Sequence, residues 1–171
     1  MSQVIPLFPL RLVVFPASKY PLHIFEPRYK KMISWCEENN IGFGICSLIN
    51  EEISHIGTYV KIHQVLKRYE NDELDIIVKG TGRISVKEIS IHPDGYHIGS
   101  VEDYSDLIFS VNEDAVDNLK NVFLKLINLV DFKLDNIFWE SFERTKLKSF
   151  KLEEKSGLTL EQQQELITLT N

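Results

Sequence analysis

The chain reads as an α+β protein, with about 105 strand-rich residues that close or fold over into a small β-barrel, followed by a helical tail. Three observations predict this. Short apolar runs, punctuated by Pro, Gly and polar turns, recur through residues 4–104. Within that stretch only residues 27–36 switch to a helical period, so one helix is inserted among the strands. After Asp106 the apolar residues recur at helical spacing to the end.

Val4–Phe8 and Leu12–Phe15 are short apolar runs bounded by Pro6, Pro9 and Pro16, which suits edge or bent strands. Pro21–Phe25 is a further extended piece. Pro27 stands where a helix tolerates a missing N–H, and Glu26 sits at that helix's positive end. Tyr29, Met32, Ile33 and Cys36 form the helix's buried stripe, and Asn39, Asn40 and Gly42 end it. Phe43–Ile49 resumes the strands. Tyr59, Lys61, His63 and Val65 alternate with Val60, Ile62, Gln64 and Leu66, predicting a half-buried strand. Glu70–Glu73 is a turn, with Leu74–Lys79 as hairpin partner. Gly80-Thr81-Gly82 predicts a bend or bulge. Arg83–Ile91 alternates with one register slip at Lys87–Glu88, and Pro93-Asp94-Gly95 turns the chain into Tyr96–Tyr104. Ser110 and Glu113 have the spacing of a capping box. Val116, Leu119, Phe123, Leu126, Ile127 and Val130 then form one long apolar face. A second helix is expected over Asn136–Phe150, and Thr159 with Gln162 opens a third that runs through Leu169.

The 171 residues carry a formal net charge of −6, unevenly spread. Residues 1–68 hold eight Lys and Arg against five Asp and Glu; residues 69–112 hold three against nine, and residues 113–171 eight against eleven. No segment has the basic density of a phosphate-tracking surface, which argues against nucleic acid as partner. Cys36 and Cys46 stand in apolar surroundings and read as small hydrophobes rather than a disulfide, which suits a reducing cytosol. Pro6, Pro9 and Arg11 interrupt the apolar N-terminus, unlike a signal peptide, and no run of 18 uncharged apolar residues predicts a membrane span.

Motifs of catalysis are missing where they would be read. No Gly is followed by Lys, as a phosphate-binding loop requires, and no Gly-x-Ser-x-Gly elbow exposes a serine. His23, His55, His63, His92 and His97 lack zinc spacing. Cys36 falls on an apolar stripe, where a thiol is inert. The expectation is therefore no catalytic residue, no metal and no cofactor.

The densest segment is Pro21-Leu-His-Ile-Phe-Glu-Pro-Arg-Tyr29, an extended strand feeding a Pro-initiated helix. With Ile5-Pro-Leu-Phe-Pro-Leu10, Val14-Phe-Pro16, Phe43-Gly-Ile45, Ile56-Gly-Thr58, Asp75-Ile-Ile-Val-Lys-Gly80, Arg83 and Gly99-Ser-Val-Glu102, it closely resembles the N-terminal domain of Lon proteases. The match covers about residues 4–106 and continues more weakly into the tail. Ala17 stands where that family often has Gly, and Ile84 where Phe often follows the Arg. The resemblance implies a PUA-like β pseudo-barrel over residues 1–106 and a C-terminal helical bundle over residues 107–171. It also implies a non-catalytic module that holds unfolded polypeptides or protein partners and assembles with copies of itself, an adaptor or regulator of ATP-dependent proteolysis. The rival reading is an RNA-binding PUA-like module, against which the acidic balance counts. Tyr20, Arg28, Trp35 and Tyr69 are the candidate partner-binding residues, the three aromatics because they fall outside any clean buried stripe. Trp139 is expected to fill the junction between barrel and helices.

Overall fold

The computed structural model describes residues 3–105 and 112–170. Six strands and one helix come first: β1 (Gln3–Leu10), β2 (Lys19–Ile24), α1 (Pro27–Glu38), β3 (Phe43–Ile49), β4 (Glu52–Arg68), β5 (Leu74–Ile91) and β6 (His97–Asp103). Four helices follow: α2 (Glu113–Leu129), α3 (Asn136–Arg144), α4 (Lys148–Glu153) and α5 (Leu160–Thr168). The chain is a mixed α+β fold, as expected.

The strands pair in the order β2-β5-β4-β3-β1-β6, and β6 also pairs with β5. Five strands thus form a closed circuit of pairing, with β2 set against the first half of β5. The long β5 makes this possible: Leu74–Lys79 pairs with β2, and Ile84–Ile91 pairs with β6. The change of partner falls at Gly80-Thr81-Gly82, where the register against β4 shifts between Tyr59 and Val60. A side chain at Gly80 would strike the Phe15 carbonyl, so the close approach requires glycine there. The slip expected at Lys87–Glu88 is present between Val86 and Glu88.

The stripe of α1 is wholly buried, Tyr29, Met32, Ile33 and Cys36 each being at most 4 % exposed. It packs with Phe8, Phe43, Ile76, Val78 and Tyr96, and Tyr29 stacks on Phe8 at 3.9 Å between ring centroids. Each such burial contributes about 1.5–3 kcal/mol. Glu26 is the N-cap residue by position, but its side chain makes no capping bond and instead accepts from Arg28 Nε at 3.0 Å.

Several expectations are corrected. Leu12–Phe15 is buried or half-buried but is not a strand. Its backbone is held by other means: Thr58 Oγ1 donates to the Val14 carbonyl at 2.5 Å. The alternation through Tyr59–Leu66 breaks at bulges between Ile62 and Gln64 and between Val65 and Lys67. Val60, Ile62 and Val65 therefore face the core while Leu66 is 52 % exposed. The single helix expected over Asn136–Phe150 is two, because Thr145 is extended and its Oγ1 accepts from Leu147 N. Lys148 Nζ donates to the carbonyls of Phe142 and Glu143 and so caps the end of α3. Ser110 lies outside the described residues; Asn112 caps α2 by accepting from Ala115 N. The capping box of Thr159 and Gln162 on α5 is present in full.

α5 docks on the strands and carries the tail with it. Gln164 Nε2 donates to the Ile56 carbonyl at 3.0 Å, and Ser47 hydrogen-bonds Gln164 Oε1. Buried Arg83 donates from Nη1 to the carbonyls of Ile167 (2.9 Å) and Leu169 (2.5 Å), at the end of α5. Phe15 and Phe150 pack across the same junction, 5.1 Å apart. By contrast, α2, α3 and α4 share a core of their own, Phe123, Ile127, Phe138, Phe142 and Leu152, which Trp139 joins. Trp139 therefore packs within the helices rather than at the junction with the strands.

Candidate polypeptide-binding surface

The four candidate residues lie in three places. Tyr20, on β2, is half-buried beside the tail and lines an open cleft with Ser18, Lys19, Lys151, Glu154 and Lys155. Burial, helped by Glu153 and Glu154, pushes its phenol up to about 12, so it stays neutral. Arg28 and Trp35 are seven residues apart on α1 and so share one flank of it. That flank faces the 92–96 turn, where Lys31 pairs with Asp94 at 2.7 Å. Trp35 is 43 % exposed. Arg28 pairs with Glu26 at 2.7 Å and lies over the Tyr29 ring. The nearby His97 is held below the usual imidazole range, first by burial and then by Arg28; its buried Nδ1 has no hydrogen-bond partner among the described residues.

Tyr69 belongs to the opposite flank of α1, near the β4–β5 turn, where Lys30 Nζ reaches the Asn71 carbonyl. Its hydroxyl donates to Asp75 Oδ2 at 2.7 Å, and His23 Nδ1 lies 2.7 Å from Asp75 Oδ1. Those two hydrogen bonds, Tyr69 first, hold the Asp75 carboxyl below its usual range. His23 also lies 3.3 Å from Glu73 and stacks on Phe25, which is 59 % exposed. This polar corner fixes the turn against β2. It joins Tyr69 to His23, not to Trp35 or Tyr20.

A broader apolar surface lies on α2. Phe123 and Ile127 are buried against α3 and α4, whereas Leu119, Val122, Leu126, Leu129 and Val130 are 38, 64, 44, 85 and 70 % exposed. At about 100° per residue these five cover an arc of roughly 100° beside the buried one. The sequence reading gave Leu119, Leu126 and Val130 one apolar face with Val116, Phe123 and Ile127, and the structure covers only part of that face. That reading also passed over Val122 and Leu129. The signal was present: apolar residues occupy more than half the circumference of α2, wider than one contact can cover. Phe132, just past the helix, is 45 % exposed as well. Contiguous apolar surface of this kind marks an interaction site rather than scattered surface side chains.

The molecule is thus an α+β domain whose helical tail docks through α5 and through Phe150 of α4, and presents apolar surface on α2. Residues 4–169 match the family model of the ATP-dependent protease La (LON) substrate-binding domain, and the chain belongs to that family. Its fold is similar to that of a Lon N-terminal domain protein from Xanthomonas campestris, with a TM-score of 0.58 and 22% identity over 92% of this chain and 99% of that one. It is similar also to the N-terminal domain of Mycobacterium avium complex Lon protease, with a TM-score of 0.64 and 15% identity over 99% of this chain and 91% of the other. At these identities the likeness is one of fold. Among the described residues no helix is long and apolar enough to cross a membrane.

Proposed function

We propose that this chain is a non-catalytic polypeptide-binding domain, a PUA-like pseudo-barrel with a helical bundle, which holds exposed apolar segments of other proteins on α2. Its role is that of an adaptor or regulator of ATP-dependent proteolysis in the cytosol. The observation that carries the reading is the exposed arc of Leu119, Val122, Leu126, Leu129 and Val130 in a chain of the substrate-binding family. Holding a segment needs only such a surface; unfolding it needs a motor. The two cysteines, buried and unpaired, with thiols pushed up to about 12 by burial, support a reducing compartment and an inert role. Trp35 and Arg28 supply a secondary contact on α1. RNA finds no comparable support, since Glu113 and Asp114 make the first turn of α2 acidic.

The test is titration of a fluorescently labelled, permanently unfolded protein at low and high salt. Binding in the micromolar range with little salt dependence is expected. Leu126→Asp and Leu129→Asp should each weaken it about ten-fold at unchanged melting temperature, and Trp35→Ala by less. Absence of binding at both salts overturns the reading; full binding by both aspartate variants overturns the placement on α2.

A further inference from the structure

We infer that a tract of lysines beside the free edge of β2 docks an extended acidic segment of another polypeptide, which pairs with β2 as an added antiparallel strand. Lys19, Lys79 and Lys61 stand directly opposite one another across β2, β5 and β4. All three are exposed, while the neighbouring Val60, Val78 and Gly80 are buried, so the row lies on the outer face of the sheet. Lys151 on α4 and Lys155 just past it continue the tract, sharing with Lys19 the cleft that Tyr20 lines. No stretch of sequence displays this tract, because its lysines come from distant parts of the chain.

Like charges set opposite one another on neighbouring strands, about 4.8 Å apart, repel and lower stability unless something neutralises them. The side-chain amino groups of Lys19, Lys61, Lys79 and Lys155 have no ionic or hydrogen-bonded partner among the described residues. Lys151 is paired with Glu154 at 2.6 Å, and Ser18 donates to the same carboxylate at 2.8 Å. The acids Glu73 and Asp75 belong to the opposite end of β2, where His23 engages both. An anionic partner therefore finds its complement at the Lys19 end.

The strand edge selects a peptide backbone as that partner. Gly80 N donates to the Ser18 carbonyl at 3.0 Å, which makes Ser18 and Gly80 a hydrogen-bonded pair at the start of the β2–β5 ladder. Such pairs alternate, so Tyr20, Leu22 and Ile24 direct their backbone groups at β5, while Lys19, Pro21 and His23 turn theirs outward. No strand among the described residues pairs with that side of β2. Pro21, which has no N–H, falls at an outward position, as a proline in a strand must. Lys19 and Pro21 discourage neutral strands from pairing there, which leaves an acidic one as the strand that fits. In an antiparallel addition the residue opposite Lys19 puts its side chain on the lysine face, in the cleft shared with Lys151 and Lys155. The C-terminal half of the added strand lies by Lys19 and its N-terminal half by Glu73 and Asp75, so the segment is acidic toward its C-terminal end. Single-stranded nucleic acid fits less well, because the lysine row offers no aromatic ring for bases to stack on. This surface stands apart from the α2 arc and does not rest on it.

The probe is a fluorescently labelled, Thr-rich peptide of about ten residues, with Glu at alternate positions of its C-terminal half. It carries no large apolar side chain, so the α2 arc does not enter the measurement. Anisotropy with the whole chain should give a dissociation constant in the tens of micromolar at low salt, weakened several-fold at about 0.5 M salt. Lys19→Glu should weaken binding at least ten-fold and Lys79→Glu about three-fold, with melting no lower than in the parent, since each sets opposite charges side by side. N-methylation of the Glu amides, which face β2, should abolish binding, and N-methylation of the interleaved Thr amides should leave it intact. Absence of binding, binding that survives Lys19→Glu, or equal effects of the two methylations each overturns the proposal. So does equal affinity for a peptide whose Glu residues are moved to the N-terminal half. Tighter binding of a single-stranded oligonucleotide of the same charge overturns it in favour of a nucleic-acid surface.

Discussion

Ala17 holds a left-handed backbone at φ 68°, in the tight turn where its N–H donates to the Gly80 carbonyl at 3.0 Å. A Cβ in that region costs about 1–2 kcal/mol, and glycine there gives back part of the gain through its freer unfolded chain. Ala17→Gly should therefore raise stability by about 0.5–1 kcal/mol, read from the urea midpoint at constant m-value. No change would show that the turn is held by its neighbours without strain. The same turn explains why the sequence's departure from the family's usual Gly is tolerated: Ala17 is exposed, and its methyl meets solvent. Tyr29 lies at the other extreme, 4 % exposed and stacked on Phe8. Tyr29→Ala should cost about 3–5 kcal/mol. A variant that melts like the parent but loses partner binding would make the Glu26–Tyr29 corner a contact rather than a fold element.

Among the elements, α5 decides how the tail is held. Its last carbonyls point at Arg83, a side chain only 6 % exposed that also lies over Tyr104 and Phe150. Tyr104 donates its hydroxyl to the Thr168 carbonyl at 2.7 Å, so two side chains from the strand region close the helix end. Arg83→Met keeps bulk and removes both hydrogen bonds to Ile167 and Leu169. The loss should be about 2–3 kcal/mol, with α5 amides exchanging faster than those of β4. Equal protection of α5 in variant and parent would mean that packing of Ile167 suffices. The break between α3 and α4 follows the same logic of terminal groups: Thr145 and Lys148 satisfy backbone that a continuous helix would have paired internally.

For the whole molecule, pH acts through a buried carboxyl where tail meets strands. Glu153 is 6 % exposed, and burial followed by Glu154 pushes it from 4.5 up to about 7, against an opposing hydrogen bond from Gln163. Because the folded value lies above the unfolded one, ionisation is costlier in the fold. Stability is therefore greatest with respect to this group below about pH 4.5 and declines as pH rises toward 7. With allowance for solvent reaching the nearby charged side chains, the loss amounts to about 1–2 kcal/mol. On the acid side Asp75, Asp94 and Glu143 act oppositely, each lowered by hydrogen-bonded partners (Tyr69 and His23, Lys31, Lys120), so their support is lost as pH falls. Glu153→Gln should raise the melting temperature at pH 8 and leave it nearly unchanged at pH 5. An equal effect at both values would refute the titration of this group.

Local period and turn chemistry by themselves determined most of the strands and α1. They determined the stripe Tyr29, Met32, Ile33 and Cys36, the slip at Val86–Glu88 and the capped start of α5, because each is marked by the spacing of residues close in sequence. The family was legible too, from spaced motifs of prolines, glycines and aromatics that shape the turns. Only tertiary structure decided which side of a wide apolar helix is covered. Leu119 and Phe123 are both apolar in sequence, yet α3 and α4 cover Phe123 and leave Leu119 38 % exposed. The bulges that expose Leu66 and the separation of Tyr20 and Tyr69 by the length of β2 likewise arise from pairing between distant strands. Burial is a property of what packs against a residue, and a partner far along the chain writes no pattern into the residue's own neighbourhood.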